Sequence, residues 1–176
     1  LTEPTILVGH SMAGYPITAA AERAPDNIRA LVYVCAYVPK SGHSLAQMRR
    51  AGPSQPLANA IRVNPDRTTF DFDPTLIADK FYHDCPPETV AFARANLTPE
   101  PIAPQETPIV LTARSQSIPR YYIRCTQDRA IPPDYQQSMA AHFPPENVTS
   151  LNTSHSPFFA APKALSDRLR QIAESL

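Results

Sequence analysis

The chain has 176 residues, the length of one domain with a substantial buried core. Its 16 basic and 16 acidic residues balance, so nothing indicates a basic surface for nucleic acid or a polybasic segment for anionic lipid. No apolar stretch approaches the roughly 20 residues of a membrane-spanning helix. The three cysteines are scattered and fit neither a metal-ligand spacing nor an even disulfide set, which favours a reducing, cytoplasmic location and no metal site.

The first predicted element is a short buried strand over residues 5–8, which ends in the letters GHSMAG at residues 9–14. A glycine before the serine and small residues after it are typical of a sharp turn from strand to helix that holds the serine hydroxyl up. The usual pattern is G-x-S-x-G; here Ala13 stands at the second glycine position and Gly14 follows it. The alternative is an ordinary strand, turn and helix with an incidental serine at Ser11.

A helix over residues 12–24 and a second buried strand over residues 28–34 complete a β-α-β unit. This spacing predicts parallel strands joined by a right-handed crossover. The fold class is therefore α/β, built on a parallel sheet.

Residues 36–107 show weak periodicity, and eleven of the 21 prolines of the chain lie between Pro39 and Pro108. We expect no regular sheet there, only short helices at 44–51, 75–82 and 87–96 that fold over the active site as a proline-rich lid. A disordered linker is the alternative. The segment contains too many large apolar side chains to be left in water, which favours the lid.

Regular patterns return in the last third of the chain. We predict strands at 119–125 and 148–151, a helix at 133–143 and a closing amphipathic helix at 161–175. The core of the domain is then residues 1–35 together with residues 108–176.

Asp128 and His155 each follow a predicted strand, at the edge of a parallel sheet where catalytic groups gather. A serine nucleophile needs a histidine to remove its proton and an acid to orient that histidine. The alternatives are a helix-capping role for Asp128 and a surface loop for His155. We expect His10 to point away along its strand, and the remaining histidines lie in the lid or on a helix.

With a serine, an acid and a histidine in that order, the chain resembles the α/β-hydrolase superfamily. It is more narrowly similar to the group of plant methyl-salicylate-type esterases, hydroxynitrile lyases and bacterial esterase relatives. The narrower resemblance rests on the segments 31–39, 81–85 and 124–132 and on the residues around His155.

The resemblance implies hydrolysis of small carboxylic esters through an acyl-enzyme, without metal or organic cofactor. Ser11 would attack the carbonyl, His155 would transfer the proton and Asp128 would orient the histidine. The backbone N–H of Met12 would donate to the oxyanion. Four aromatic side chains are candidates for the substrate pocket: Tyr15, Phe81, Phe158 and Phe159.

Two alternatives remain at this point. Hydroxynitrile lyases of the group have a lysine after the histidine, where this chain has Ser156, so a lyase is the less favoured enzyme. A catalytically inert ligand-binding module is the alternative from another class. The family fold also has strands before the serine strand, and one of their loops gives a second oxyanion donor. We therefore expect a preceding segment or a homodimer to complete the sheet.

Overall fold

A computed structural model describes residues 3–176, so the first two residues of the predicted core segment lie outside the described residues. The strands are β1 Thr5–His10, β2 Ile28–Val34, β3 Ile61–Val63, β4 Thr69–Phe72, β5 Glu100–Pro101, β6 Arg120–Cys125 and β7 Val148–Leu151. The longer helices are α1 Gly14–Arg23, α2 Leu45–Ala51, α4 Pro87–Asn96, α7 Pro133–Ala140 and α9 Pro162–Glu174. The shorter helices are α3 Ile77–Phe81, α5 Ile102–Glu106, α6 Ala113–Gln116 and α8 Pro157–Ala160.

The main sheet has four parallel strands in the order β1-β2-β6-β7, with β1 at one edge. Side chains alternate between its two faces, as the pleat of a strand requires. On β2, Leu31 and Tyr33 pack against α1 and the end of α7, while Val32 and Val34 pack against α9. Helices therefore cover both faces, which is the α/β architecture that the sequence predicts.

The strands and main helices of this sheet agree closely with the prediction. The helix after the serine begins later than predicted, because residues Ser11–Ala13 form a 3₁₀ turn before α1 starts at Gly14. The third helix of the core, α7, ends at Ala140 rather than at residue 143. The carboxyl ends of all four strands lie at one edge of the sheet, where the chain reaches Ser11, Asp128 and His155.

The segment between residues 36 and 107 is folded. It contains α2, α3, α4 and α5, together with a three-stranded antiparallel sheet in the order β3-β4-β5. The expectation of no sheet in this segment was wrong. Its strands are only two to four residues long, too short for an alternating pattern to be recognised among the prolines.

The aromatic residues of this segment are mostly buried against the core. Ile77, Phe81 and Tyr82 form a cluster with Ala130 of the core, and Phe159 packs against the same cluster. Phe92 is an exception, since 57% of its surface is exposed. Within residues 3–176, no helix combines the length and the apolar character needed to cross a bilayer.

Candidate active site

Ser11 lies on a strained turn between β1 and α1. Its backbone φ is 55°, in the left-handed region that L-residues with a side chain rarely adopt. Such a conformation persists where the surroundings fix it, and here two glycines permit the close packing. A Cβ on Gly14 would lie 1.9 Å from the carbonyl oxygen of Tyr37, and one on Gly9 would lie 2.6 Å from that of Ala13. Both glycines are therefore required by the approach of neighbouring backbone.

The structure brings the three residues singled out in the sequence into one hydrogen-bonded chain. The Ser11 hydroxyl donates to Nε2 of His155 over 2.9 Å, and Nδ1 of His155 donates to Oδ2 of Asp128 over 2.7 Å. A carboxylate can only accept, so this pair fixes the histidine tautomer with its free nitrogen toward the serine. His155 and Asp128 are 3% and 5% exposed, which shields their interaction from water.

The Asp128 carboxylate is held by further donors. Its Oδ1 accepts from the backbone N–H groups of Ala130 and Ile131 at 2.7 and 2.9 Å. Its Oδ2 also accepts from the amide of Gln136 at 2.8 Å. Gln136 is fully buried and its own Oε1 accepts from the N–H of Cys125 at the end of β6. Asp128 thus bonds to the loop before α7, to the side chain of Gln136 within α7 and to His155, but it does not cap α7, so the capping alternative is wrong.

The loop that contains His155 is held by the segment Phe81–Cys85. The N–H of Ser154 donates to Asp84 Oδ2 at 2.6 Å, and the Ser154 hydroxyl donates to the carbonyl of Phe81 at 3.0 Å. On the other side, His83 donates from Nε2 to the carbonyl of Gln127 at 2.8 Å. This short segment therefore fixes the loops of both His155 and Asp128 relative to each other.

His10 does not point away along its strand, contrary to the expectation from the sequence. Its Nε2 donates to the backbone carbonyl of His155 at 2.7 Å, and its ring lies 4.6 Å from the ring of His155. Burial, followed by the nearby charge of His155, lowers the pKa of His10 to about 3. A neutral imidazole therefore supports the loop of His155. The predicted direction of the His10 side chain was wrong because β1 ends at this residue and the chain turns there, so strand alternation no longer applies.

Met12 is the second residue of the 3₁₀ turn that follows the strand. The first N–H groups of a helix have no intrahelical acceptor and point toward its N-terminal end, where negative charge is favoured. The position of Met12 directly after Ser11 therefore leaves its N–H close to the serine hydroxyl.

A cavity of about 260 Å³ opens over Ser11 and His155. Phe81 and Phe158, two of the four predicted pocket residues, line it. Tyr15 and Phe159 are not among the described residues that line it, and these two predictions are corrected. Tyr15 packs in the core with Tyr37. Phe159 packs behind the wall against Tyr82, because consecutive residues on a helix point about 100° apart, so Phe158 and Phe159 face different surroundings.

The cavity wall is mostly apolar and is built largely from the segment 36–107. Its apolar members include Leu45, Leu57, Phe70, Phe72, Tyr82, Leu97 and Ile131. From this same segment come the polar lining side chains Arg49, Glu100 and Gln105, and none of them was singled out in the sequence. Gln136 was missed as well. None of these four residues belongs to a local sequence motif, so only their neighbours in space identify them as part of the site.

One group of possible metal ligands occurs among the described residues. Single donor atoms of His10, Cys35 and His155 lie within 4.8 Å of one another. Both nitrogens of His155 are already hydrogen-bonded to Asp128 and Ser11, and burial raises the pKa of the Cys35 thiol well above its usual value. A thiolate, the form that binds metals, is therefore disfavoured at this position.

Comparisons with known proteins agree with this architecture. Residues 1–168 match the family described as "Alpha/beta hydrolase family". The chain is 34% identical to putative methylesterase 11, chloroplastic, of Arabidopsis thaliana, over 97% of this chain and 46% of that protein. It is 30% identical to methyl jasmonate esterase 1 of Vitis vinifera, over 98% of this chain and 71% of that protein.

A similar solved structure is a pyrethroid hydrolase from Sphingobium faniae. It superposes with a TM-score of 0.87 at 25% identity, over 99% of this chain and 72% of that one. The chain spans less than half the length of several of the curated relatives that it matches. The match to the plant methylesterases confirms the resemblance stated from the sequence. The chain belongs to the alpha/beta hydrolase family.

Proposed function

We propose that this protein hydrolyses small carboxylic esters through an acyl-enzyme, with Ser11 as nucleophile, His155 as general base and acid, and Asp128 as the residue that orients the histidine. The observation that supports the proposal is the continuous chain of hydrogen bonds from Ser11 through His155 to Asp128, at 2.9 and 2.7 Å. A serine hydroxyl becomes nucleophilic when an oriented imidazole can accept its proton, which is the role of this arrangement.

In the first step, Ser11 Oγ forms a bond to the ester carbonyl carbon as its proton moves to His155 Nε2. The imidazolium is stabilised by the buried Asp128 carboxylate, and the oxyanion accepts a hydrogen bond from the Met12 N–H. Collapse of the tetrahedral intermediate breaks the bond to the alkoxy oxygen, which takes the proton from Nε2 and leaves as the alcohol. Water then attacks the acyl-enzyme in the same way and releases the acid.

The cavity supports a small substrate. A volume of about 260 Å³ is slightly below the range of ordinary ligand pockets, which run from about 300 to 1,000 Å³. The curated relatives are named as methylesterases, and one as a methyl jasmonate esterase. We therefore propose a methyl ester whose acid part fills the cavity beside Ser11. A lyase is not favoured, since the residue after His155 is Ser156 and no cation stands there.

A fluorophosphonate probe and p-nitrophenyl acetate test this proposal on the purified protein. We expect the probe to label wild type on Ser11, and Ser11→Ala to abolish labelling and reduce ester turnover by about 10⁶-fold, as for serine in other triads. Ser138→Ala, on the exposed face of α7, is the matched control and should keep both activities. Turnover of mandelonitrile, rather than of esters, in a Ser11-dependent way would contradict ester hydrolysis. An unlabelled wild type would contradict the nucleophile.

A further inference from the structure

Helices α2 and α5 present two pairs of neighbouring residues with different surroundings. Arg50 on α2 and Glu106 on α5 form an exposed ion pair, with N–O distances of 3.2 and 3.3 Å. The residue before each of them, Arg49 and Gln105, lines the cavity instead. The outer pair therefore holds the two helices together, and the inner two side chains face the space beside Ser11.

The Gln105 side chain is buried and has a weak hydrogen-bond partner. It is 6% exposed, and its Nε2 donates to the thioether sulfur of Met12 over 3.8 Å. A thioether is a weak acceptor. Within residues 3–176, no other hydrogen-bond partner of this carboxamide is present. Its carboxamide oxygen is not among the fully buried side-chain atoms without a partner in the described residues, so it reaches the cavity, where a polar group on a bound ligand is a suitable partner.

Arg49 is also without a protein partner in the part of the chain that the structure describes: its guanidinium makes no hydrogen bond there and no ion pair within 4.0 Å. It is only partly exposed, and a guanidinium offers five donors and no acceptor. The Glu100 carboxylate lines the same cavity, so a negatively charged ligand would be attracted by Arg49 and repelled by Glu100. An uncharged oxygen acceptor uses the donors without meeting that repulsion.

We propose that Gln105 and Arg49 form a polar subsite for a second oxygen group on the acid part of the ester, separate from the ester bond itself. The preferred substrate is then a methyl ester with an apolar body and an uncharged oxygen acceptor, such as a ketone. This inference deepens the proposed function and rests on it. Gln105 touches Met12, which follows the nucleophile, so the subsite adjoins the reacting carbonyl.

Three methyl esters of nearly the same shape separate the contribution of a hydrogen-bond acceptor from that of a negative charge. They are methyl 5-methylhexanoate, methyl 5-oxohexanoate and monomethyl glutarate, which end in a hydrocarbon, a ketone and a carboxylate. Methanol release gives kcat/KM for each. We expect wild type to prefer the ketone over the hydrocarbon by about tenfold or more, and to prefer it over the carboxylate too, because of Glu100.

Gln105→Met keeps the size of the side chain and removes its hydrogen bonds. It should bring the ketone-to-hydrocarbon ratio of kcat/KM down by about tenfold, toward one. Arg49→Met should lower the same ratio and lower the rate on the carboxylate ester further. Arg94→Met removes a charge from the exposed surface of α4, outside this cavity, and should leave all three ratios unchanged.

Rates of fluorophosphonate labelling show whether each variant keeps a competent Ser11, independently of the subsite. A wild type that prefers the hydrocarbon ester would overturn the inference. So would a Gln105→Met protein that labels normally and keeps the wild-type ratio, or one that loses rate equally on all three esters. Failure of the proposed function gives a different result, because wild type would then neither label nor turn over p-nitrophenyl acetate.

Discussion

Gln136 and Gln105 are both buried glutamines near the candidate active site, and they differ in how well their amides are bonded. Gln136 accepts from the Cys125 N–H at 3.0 Å and donates to Asp128 and to the Ile131 carbonyl, both at 2.8 Å. Within the described residues, the amide of Gln105 is bonded only to the sulfur of Met12, at 3.8 Å. The first amide has strong protein partners and fixes a charged group in place, while the second has capacity left for a ligand.

This difference separates residues that prepare the site from residues that select what enters it. A network with every partner present is rigid and holds its charges before substrate arrives, which is what electrostatic catalysis requires. A side chain that lines a cavity and has a weak protein partner keeps hydrogen-bonding capacity for a ligand. The predictions below test whether the two glutamines do differ in this way.

The largest expected effect comes from breaking the network at Asp128. Asp128→Asn keeps the shape of the side chain but lets its amide donate to His155, which selects the wrong histidine tautomer. We expect kcat on p-nitrophenyl acetate to fall by about 10⁴-fold at neutral pH. Asp134→Asn, an exposed aspartate on α7, is the control and should retain full activity. Retention of more than a tenth of the rate by Asp128→Asn would exclude its proposed role.

A second test concerns His10, which holds the carbonyl of His155. Because its pKa falls from 6.5 to about 3 in the folded protein, the unfolded chain binds a proton that the folded one does not. Stability should therefore decrease as pH falls below 6.5, by up to about 1.4 kcal/mol per pH unit from this residue.

His10→Asn removes the titrating group, so the free energy of unfolding of this variant should depend less on pH between 6.5 and 4.5. Urea denaturation of wild type and variant across that range measures the difference. His142→Asn, at an exposed position, controls for replacing a histidine at the surface. Parallel pH profiles for wild type and His10→Asn would contradict the neutral state of His10 in the folded protein.

Gln136→Met sharpens the comparison by removing the better-bonded amide. The Cys125 N–H and the Asp128 carboxylate each lose a partner, so we expect the free energy of unfolding to fall by about 1–3 kcal/mol. The rate should also fall, with kcat affected more than KM, because Asp128 loses its orientation. Gln137→Met, the exposed neighbour on α7, is the control. An unchanged unfolding midpoint in urea for Gln136→Met would show that the Gln136 amide stabilises the fold no more than the Gln105 amide does.

The smallest expected effect is on stability at the other glutamine. Gln105→Met removes an amide that has no strong protein partner, so the free energy of unfolding should stay within about 0.5 kcal/mol of wild type or rise. The same urea measurement on Gln105→Met and Gln136→Met compares the two directly. Equal losses in the two variants would show that Gln105 has a structural role.

Local sequence determined much of the main sheet. Apolar runs of strand length, turn residues between them and the glycines around Ser11 predict the β-α-β unit, the sharp turn and the closing helix. The requirement at Gly9 has a local cause, since a Cβ there would lie 2.6 Å from the carbonyl oxygen of Ala13. Gly14 makes room for the carbonyl oxygen of Tyr37, which only the tertiary structure brings there. The order of Ser11, Asp128 and His155 after successive strands also places them at one sheet edge, since parallel strands end together.

The segment 36–107 and the cavity wall depended on tertiary structure. The strands β3, β4 and β5 are stabilised by pairing across the chain rather than by a pattern within each, so periodicity did not reveal them. Phe158 and Phe159 are adjacent in sequence, and only the packing decides that the first faces the cavity and the second faces Tyr82.

The sequence by itself thus determined which residues can do the chemistry, because a nucleophile, a base and an acid need particular side chains in a local backbone setting. Only the tertiary structure decided which polar groups are bonded and which are left without strong partners. His10, Gln136, Gln105 and Arg49 belong to no motif. Their roles depend on atoms 8 to 145 positions away, such as Asp128 for Gln136 and His155 for His10, and hydrogen bonding depends on distance in space.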